Sequence, residues 1–135
     1  MNFISGINAT SSALEAEKIR MDIVAENISN AYTTKGLDGK VYQRKTVAFE
    51  ALLASGGERG GGVRISEIGT DPTPGELVYN PTHPHADKDG MVQMPNVSVS
   101  TEMVDLLAAS RAYEANLAVV RNARQMAAKA LTIGR

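Results

Sequence analysis

The chain has 135 residues, of which 43% are apolar but only 4% aromatic, with a formal net charge of −1 and no cysteine. This suffices for one domain with a thin aliphatic core, and it excludes disulfides, thiolate metal sites and a cysteine nucleophile. The balanced charge offers no field for nucleic acid or an anionic membrane, and no stretch nears the roughly 20 apolar residues of a span. Neither a nucleic-acid partner nor membrane insertion is expected.

Residues 1–31 contain no proline and carry apolar residues in sevens. Ile7, Leu14, Met21 and Ile28 form one row; Phe3, Val24 and Ala31 lie in a second, which Thr10 and Glu17 interrupt. A repeat of seven over several turns predicts a helix that packs along another helix. The Thr-rich stretch from Asn30 to Gly36 is the expected stop. No base precedes Lys18, and Glu15 and Glu17 break any apolar run, so a secretory signal of the usual kind is not expected. By ordinary routes such a chain stays in the cytosol; leaving it would take a different export machine.

Residues 32–96 hold all five prolines and most of the glycines. Short extended segments are expected at Val41–Phe49, around Val63 and Ile65, at Leu77–Tyr79 and at Met91–Met94. Between them lie a glycine-rich loop (Gly56-Gly57, Gly60-Gly61-Gly62) and the turn formers Asp71-Pro72-Thr73-Pro74-Gly75. One small sheet with a mobile glycine loop is the reading. The loop is no phosphate cradle, because Val63 stands where a P-loop requires Lys-Ser/Thr.

Residues 97–135 repeat the design of the first segment. Met103, Leu117 and Leu131 form one row, broken by Ser110 and Arg124; Leu106, Tyr113, Val120 and Ala127 form the other. Nine alanines in 101–135 favour helix and permit close approach of a neighbour. Ser98, Ser100 and Thr101 are candidate N-caps, Glu102 and Asp105 suit the positive end of the helix dipole, and Gly134 is a plausible stop. The first helix carries four acids and two bases, the last five bases and three acids, so side-by-side packing is electrostatically favoured. The fold class is α+β: a coiled-coil-like pair of long terminal helices (1–31 and 97–135) flanking a small β-rich middle (32–96).

Candidate chemistry is sparse. His83-Pro84-His85-Ala86-Asp87-Lys88-Asp89-Gly90 is the best metal-binding candidate. As a calcium loop it would begin on His85 and end on Asn96, which cannot supply the bidentate carboxylate. Two histidines flanking a proline lack a visible third zinc ligand, and a turn fixed by proline and Asp side chains is the preferred reading. No nucleophile elbow accompanies either histidine. Neither an enzyme nor a cofactor is expected. On periodicity alone, the helix pair suits inter-subunit assembly, or equally a cytosolic helical-hairpin adaptor or export chaperone.

Two stretches narrow the choice. Arg20 through Ala31, centred on Asn27-Ile28-Ser29-Asn30-Ala31 and followed by Thr33 and Thr34, resembles the N-terminal signature of the bacterial flagellar rod and hook (axial) proteins. Glu102-Met103-Val104-Asp105 through Ser110-Arg111-Ala112-Tyr113-Glu114-Ala115-Asn116 resembles the matching C-terminal signature. Tyr79-Asn80-Pro81-Thr82-His83-Pro84-His85-Ala86-Asp87, then Asp89-Gly90 and Pro95-Asn96-Val97, looks like the proximal-rod branch of that family. Met91 and Leu37 stand where the family usually carries aromatics.

The resemblance covers essentially the whole chain and implies a non-enzymatic structural subunit of the basal body. It would leave the cell through the flagellar type III export apparatus without a cleaved signal peptide. Its partners would be other rod proteins, the export and MS-ring base, and copies of itself in a helical array that carries torque through the periplasm. The expected assembly interface is Ile7, Leu14, Met21, Val24, Ile28, Met103, Leu106, Tyr113, Leu117 and Val120. Asn27, Asn30, Thr34, Pro81, His83, Pro84, Asp87, Gly90, Pro95 and Asn96 are the signature positions. Asn27 and Asn30 are expected to bond at the helix exit, and the helices to be disordered or loosely held before assembly.

Overall fold

A computed structural model describes the backbone of residues 3–52 and 61–133, with side chains described from residue 6 onward within those ranges. The glycine stretch 56–60, Leu53, the Phe3 side chain and the Gly134 stop lie outside the described residues.

The element order is α1 (Phe3–Ser29), β1 (Lys45–Leu52), β2 (Gly62–Thr70), β3 (Leu77–Tyr79), β4 (Met91–Gln93) and α2 (Val99–Ile133). At 1.5 Å per residue the 27-residue α1 spans about 40 Å and the 35-residue α2 about 52 Å. The two run antiparallel. Asn27, near the end of α1, meets Glu102, near the start of α2, whereas Arg20, earlier in α1, reaches Asp105, further along α2.

Each helix end follows from local chemistry. Asn30 stops α1: its backbone N–H and its side-chain amide both donate to the Glu26 carbonyl, and Thr33 donates to its Oδ1. At the start of α2 the Ser98 carbonyl accepts the Glu102 N–H, and its hydroxyl meets those of Ser100 and Thr101.

The helix seam is lined by small residues. Ala16, Val24 and Ala31 are buried on α1, and Ala109 and Ala123 on α2. The large apolar residues of the sevenfold rows flank this line. Ile7, Leu14, Met21, Ile28, Leu106, Tyr113, Leu117 and Val120 are half-buried, while Met103 and Leu131 face solvent. Two helices approaching closely put alanines at the centre of contact and push larger side chains to its margins.

The middle forms two separate two-stranded antiparallel sheets, β1–β2 and β3–β4, rather than one. In β1–β2, Lys45 pairs with Thr70 and Leu52 with Gly62, with a register shift after Ala48 that leaves Ser66 unpaired. The hairpin leans on α1, where the Ser12 hydroxyl accepts the Val63 N–H at 3.0 Å. In β3–β4, Leu77 pairs with Gln93 and Tyr79 with Met91. Between the sheets residues 71–76 form no strand, and Gly75 lies so close to residues 94–95 that a Cβ would fall 2.0 Å from the Met94 carbonyl oxygen.

Ala109 is fully buried in the seam, without room for added volume. Ala109→Leu should lower unfolding stability by about 1–3 kcal/mol through overpacking. Urea denaturation followed by helical circular dichroism checks this.

Candidate functional site at the helix junction

The best-built polar site lies where α1, the start of β1 and α2 meet. Asn27 is 1% exposed and Glu102 fully buried. An asparagine side chain offers two N–H donors and two acceptor sites, and Asn27 uses all four. Its Nδ2 donates to the Lys45 carbonyl at 2.9 Å and to Glu102 Oε2 at 3.0 Å. Its Oδ1 accepts the Lys45 N–H at 2.8 Å and the Tyr42 hydroxyl at 2.9 Å. Toward Lys45 the side chain therefore acts as a strand neighbour, taking both main-chain groups of the first residue of β1.

Glu102 is neutralised by Arg44, whose Nε donates to Oε1 at 2.5 Å. The other end of the guanidinium reaches Asp105 at 3.5 Å, and Arg20 approaches the same carboxylate at 3.6 Å. Lys45 Nζ pairs with Glu26 at 2.5 Å. Three cations thus meet three carboxylates across three elements. Arg44 is itself held by its backbone: its N–H donates to Asn96 Oδ1 at 2.7 Å, and its carbonyl accepts the Asp71 N–H at 2.8 Å. Asn96 closes the loop by donating to the Asp71 carbonyl at 3.0 Å. Burial, with Glu26 and then Glu102 nearby, raises the Tyr42 phenol to a pKa of about 12.

The signature residues divide between this junction and a turn beside it. Asn27, Asn96 and the buried Pro95 belong to the junction region. Asn30 is a helix stop, so the two asparagines expected at the helix exit do different things. The Asp87 carboxylate accepts the N–H groups of Asp89 and Met91, and the buried Gly90 takes a positive φ of 76°, with Pro81 and Tyr79 where a Cβ would point. The His83 ring accepts the His85 N–H, and the Thr34 hydroxyl meets His85 Nδ1 at 2.7 Å, tying the turn to the α1 exit. Pro84 is exposed in the same turn.

Sequence reading missed Tyr42, Arg44, Lys45 and Glu102 as site residues. Glu102 did leave a signal: it stands seven residues before Ala109 and twenty-one before Ala123, on the stripe that faces α1. An acid on a buried stripe calls for a partner. Arg44 left none, since its role depends on a contact 58 residues away.

Asn27→Asp keeps the shape but removes both donors and sets a second carboxylate against Glu102. Breaking a buried polar network in this way should cost about 3–5 kcal/mol, read by urea denaturation. For Tyr42, the raised pKa means that the folded chain keeps its proton after the unfolded chain has lost it. Stability from this source is complete below pH 10 and disappears as pH rises from about 10 to about 12. Tyr42→Phe should flatten that part of the stability–pH curve, measured by denaturation at stepped alkaline pH.

Two family descriptions match the chain: "Flagella basal body rod protein" over residues 7–36, and "Flagellar basal body rod FlgEFG protein C-terminal" over residues 88–133. Both junction carriers, Asn27 and Glu102, fall inside these ranges. The chain is 40% identical over 134 residues to the flagellar basal-body rod protein FlgC of Yersinia enterocolitica, covering 99% of each chain. It is 39% identical to the FlgC of Salmonella typhimurium, again over 99% of both chains, and 39% identical to that of Bacillus subtilis over the full length of both. With a buried polar junction joining two terminal helices, and with this likeness end to end, the chain belongs to the FlgC family of flagellar basal-body rod proteins.

Proposed function

We propose that this chain is a structural subunit of the proximal part of the flagellar rod, polymerising through its terminal helices to transmit torque across the periplasm. One observation carries the reading: α2 turns an apolar face to solvent. Val104, Leu107, Val119, Met126 and Ile133 fall on one side of α2 at 100° per residue, and each is more than half exposed. The described outward positions of α1, by contrast, are small or polar, among them Asn8, Ser11, Glu15, Lys18 and Asp22. A long apolar stripe of this kind marks a protein–protein contact.

Total surface supports the same reading. The chain exposes 9702 Å², against roughly 6,800 Å² for a compact monomer of its mass. The excess is surface that neighbours would cover. Charge adds direction. Among described exposed side chains α2 carries Arg111, Arg121, Arg124 and Lys129 against Glu114, whereas α1 carries Glu15 and Asp22 against Lys18. An α2 face of one copy against an α1 face of the next is a heterologous contact, and such contacts extend into filaments when they do not close. Other rod proteins and the MS-ring base would cap the array, and the flagellar type III apparatus would deliver the chain.

The half-buried seam residues Leu14, Met21, Ile28, Leu106, Tyr113, Leu117 and Val120 hold the pair together and form part of its margins in the array. Val24 acts wholly within the pair.

Val119→Asp should leave the purified chain's melting curve unchanged, because the residue is outside the seam, while abolishing incorporation and motility. Mass spectrometry of purified basal bodies from wild-type, Val119→Asp and export-defective cells is the check. Presence in wild-type particles and cytosolic retention in the export mutant is the expected result. Absence from wild-type particles, with the chain soluble in the cytosol of both strains, would replace the rod reading with a helical adaptor.

A further inference from the structure

We propose that the outer face of β3–β4 is the seat for the distal end of the C-terminal helix of the next rod subunit along the axis, a basic helix end with exposed apolar side chains. Strand alternation gives this small sheet two faces. Val92, opposite Val78, is buried and marks the inner face. Leu77 and Tyr79, with Met91 opposite Tyr79, lie on the other face, and Leu77 and Tyr79 are each more than half exposed. The solvated face of an antiparallel sheet is ordinarily polar, and this one is apolar. The Tyr79 ring lies against Gly90, where an added Cβ would stand 3.0 Å from its Cε2, so the ring is backed on one side while its outer surface stays bare.

Charge says what fits there. Residues 71–96 carry four acids, Asp71, Glu76, Asp87 and Asp89, against one base, Lys88. Glu76, next to β3, and Asp89, just before β4, are exposed. The far end of α2 is the complement: after Glu114 the described helix carries Arg121, Arg124 and Lys129 and no acid. In the assembled subunit Asn27 lies opposite Glu102, so an antiparallel run at equal rise puts Phe3 level with about residue 126. Residues 127–133 therefore run past the described start of α1. Leu131 and Ile133, on this overhang, are the most exposed large apolar side chains of the described α2. Ile133 lies about 50 Å along the helix from Val99, whereas β4 ends at Gln93, close before that helix begins, so the overhang cannot reach β3–β4 of its own chain. The contact joins opposite ends of two subunits and is heterologous, the kind that continues along an axis. The segment holding this helix is the one matched by the rod-protein C-terminal description, so a like helix is what a neighbouring rod subunit brings. The inference rests on the rod reading and adds an axial contact to it.

The test is made on assembled particles. The photoreactive p-benzoylphenylalanine replaces Tyr79, cells are irradiated, basal bodies are purified, and crosslinked peptides are sequenced by mass spectrometry. The label should join to the last two turns of a rod subunit's C-terminal helix. Glu76→Lys/Asp89→Lys should lower both that crosslink and the amount of chain in the particles, roughly tenfold or more, because like charges then meet. Lys88→Glu, in the same turn, should lower neither. Crosslinks to any other segment, no crosslink in particles that contain the chain, undiminished incorporation of the double variant, or an equal loss with Lys88→Glu would each overturn the inference. Absence of the unsubstituted chain from the particles removes the rod reading and this contact with it; a chain that is present but crosslinked elsewhere removes the contact alone.

Discussion

Asn27 has no hydrogen-bonding capacity left over, and much of the molecule is arranged around that fact. Its four bonds fix three things at once: the first residue of β1, the Tyr42 side chain and the carboxylate of Glu102. The last of these lies 75 residues away in sequence. Apolar contact is weaker in comparison. A buried alanine contributes about one methyl group, near 0.8 kcal/mol, whereas an orphaned carboxylate costs several times that. The seam therefore supplies attraction with little preference for geometry, and the polar junction supplies the geometry.

The two chain ends are thus not joined as an independent hairpin. Asn27 and Asn96, from opposite flanks of the middle segment, both grasp the backbone at Arg44–Lys45. Asn96 also takes the Asp71 carbonyl, which brings the end of β2 into the same knot. Each side-chain amide replaces ladder bonds that a neighbouring strand would otherwise make. This lets two short sheets and two long helices meet without a continuous β-layer between them. It also explains how a middle segment with so few buried apolar residues can orient helices of 27 and 35 residues.

Much of this architecture was legible beforehand. Sevenfold apolar spacing located both helices, Asn30 and Ser98 mark their ends, and β3 falls on Leu77–Tyr79 as read from the sequence. The contact line was legible only in part: Val24 and Ala31 lie on the second row, but Ala16, Ala109 and Ala123 do not, because spacing reports large apolar residues and close helix packing selects small ones. The rows through Leu14 and Leu117 therefore flank the line that Ala16, Ala109 and Ala123 occupy. Glu102 was read as a partner for the helix dipole, a role its position permits; its burial depends on Arg44, and no local pattern encodes a bond across 58 residues. His83, His85 and Asp87 belong to a tight turn, where backbone N–H groups take the ring and carboxylate acceptors.

A thin seam has a consequence for how assembly and folding depend on each other. In the proposed assembly, a neighbour that covers the outward face of α2 would bind the paired form and not the separated helices, and so would stabilise the pair by mass action. Half-buried residues such as Leu117 and Tyr113 then serve both equilibria, and a change there weakens the chain and its contacts together. Outward residues such as Leu107 and Val119 are exposed and would serve only the second. An assembly defect identifies an interface only when it arises at positions of this second kind. At the first kind, the same phenotype follows from loss of the pair alone. The division between the two sets runs along the surface of α2, with Glu102 on its inner face and Met103, one residue on, outside it.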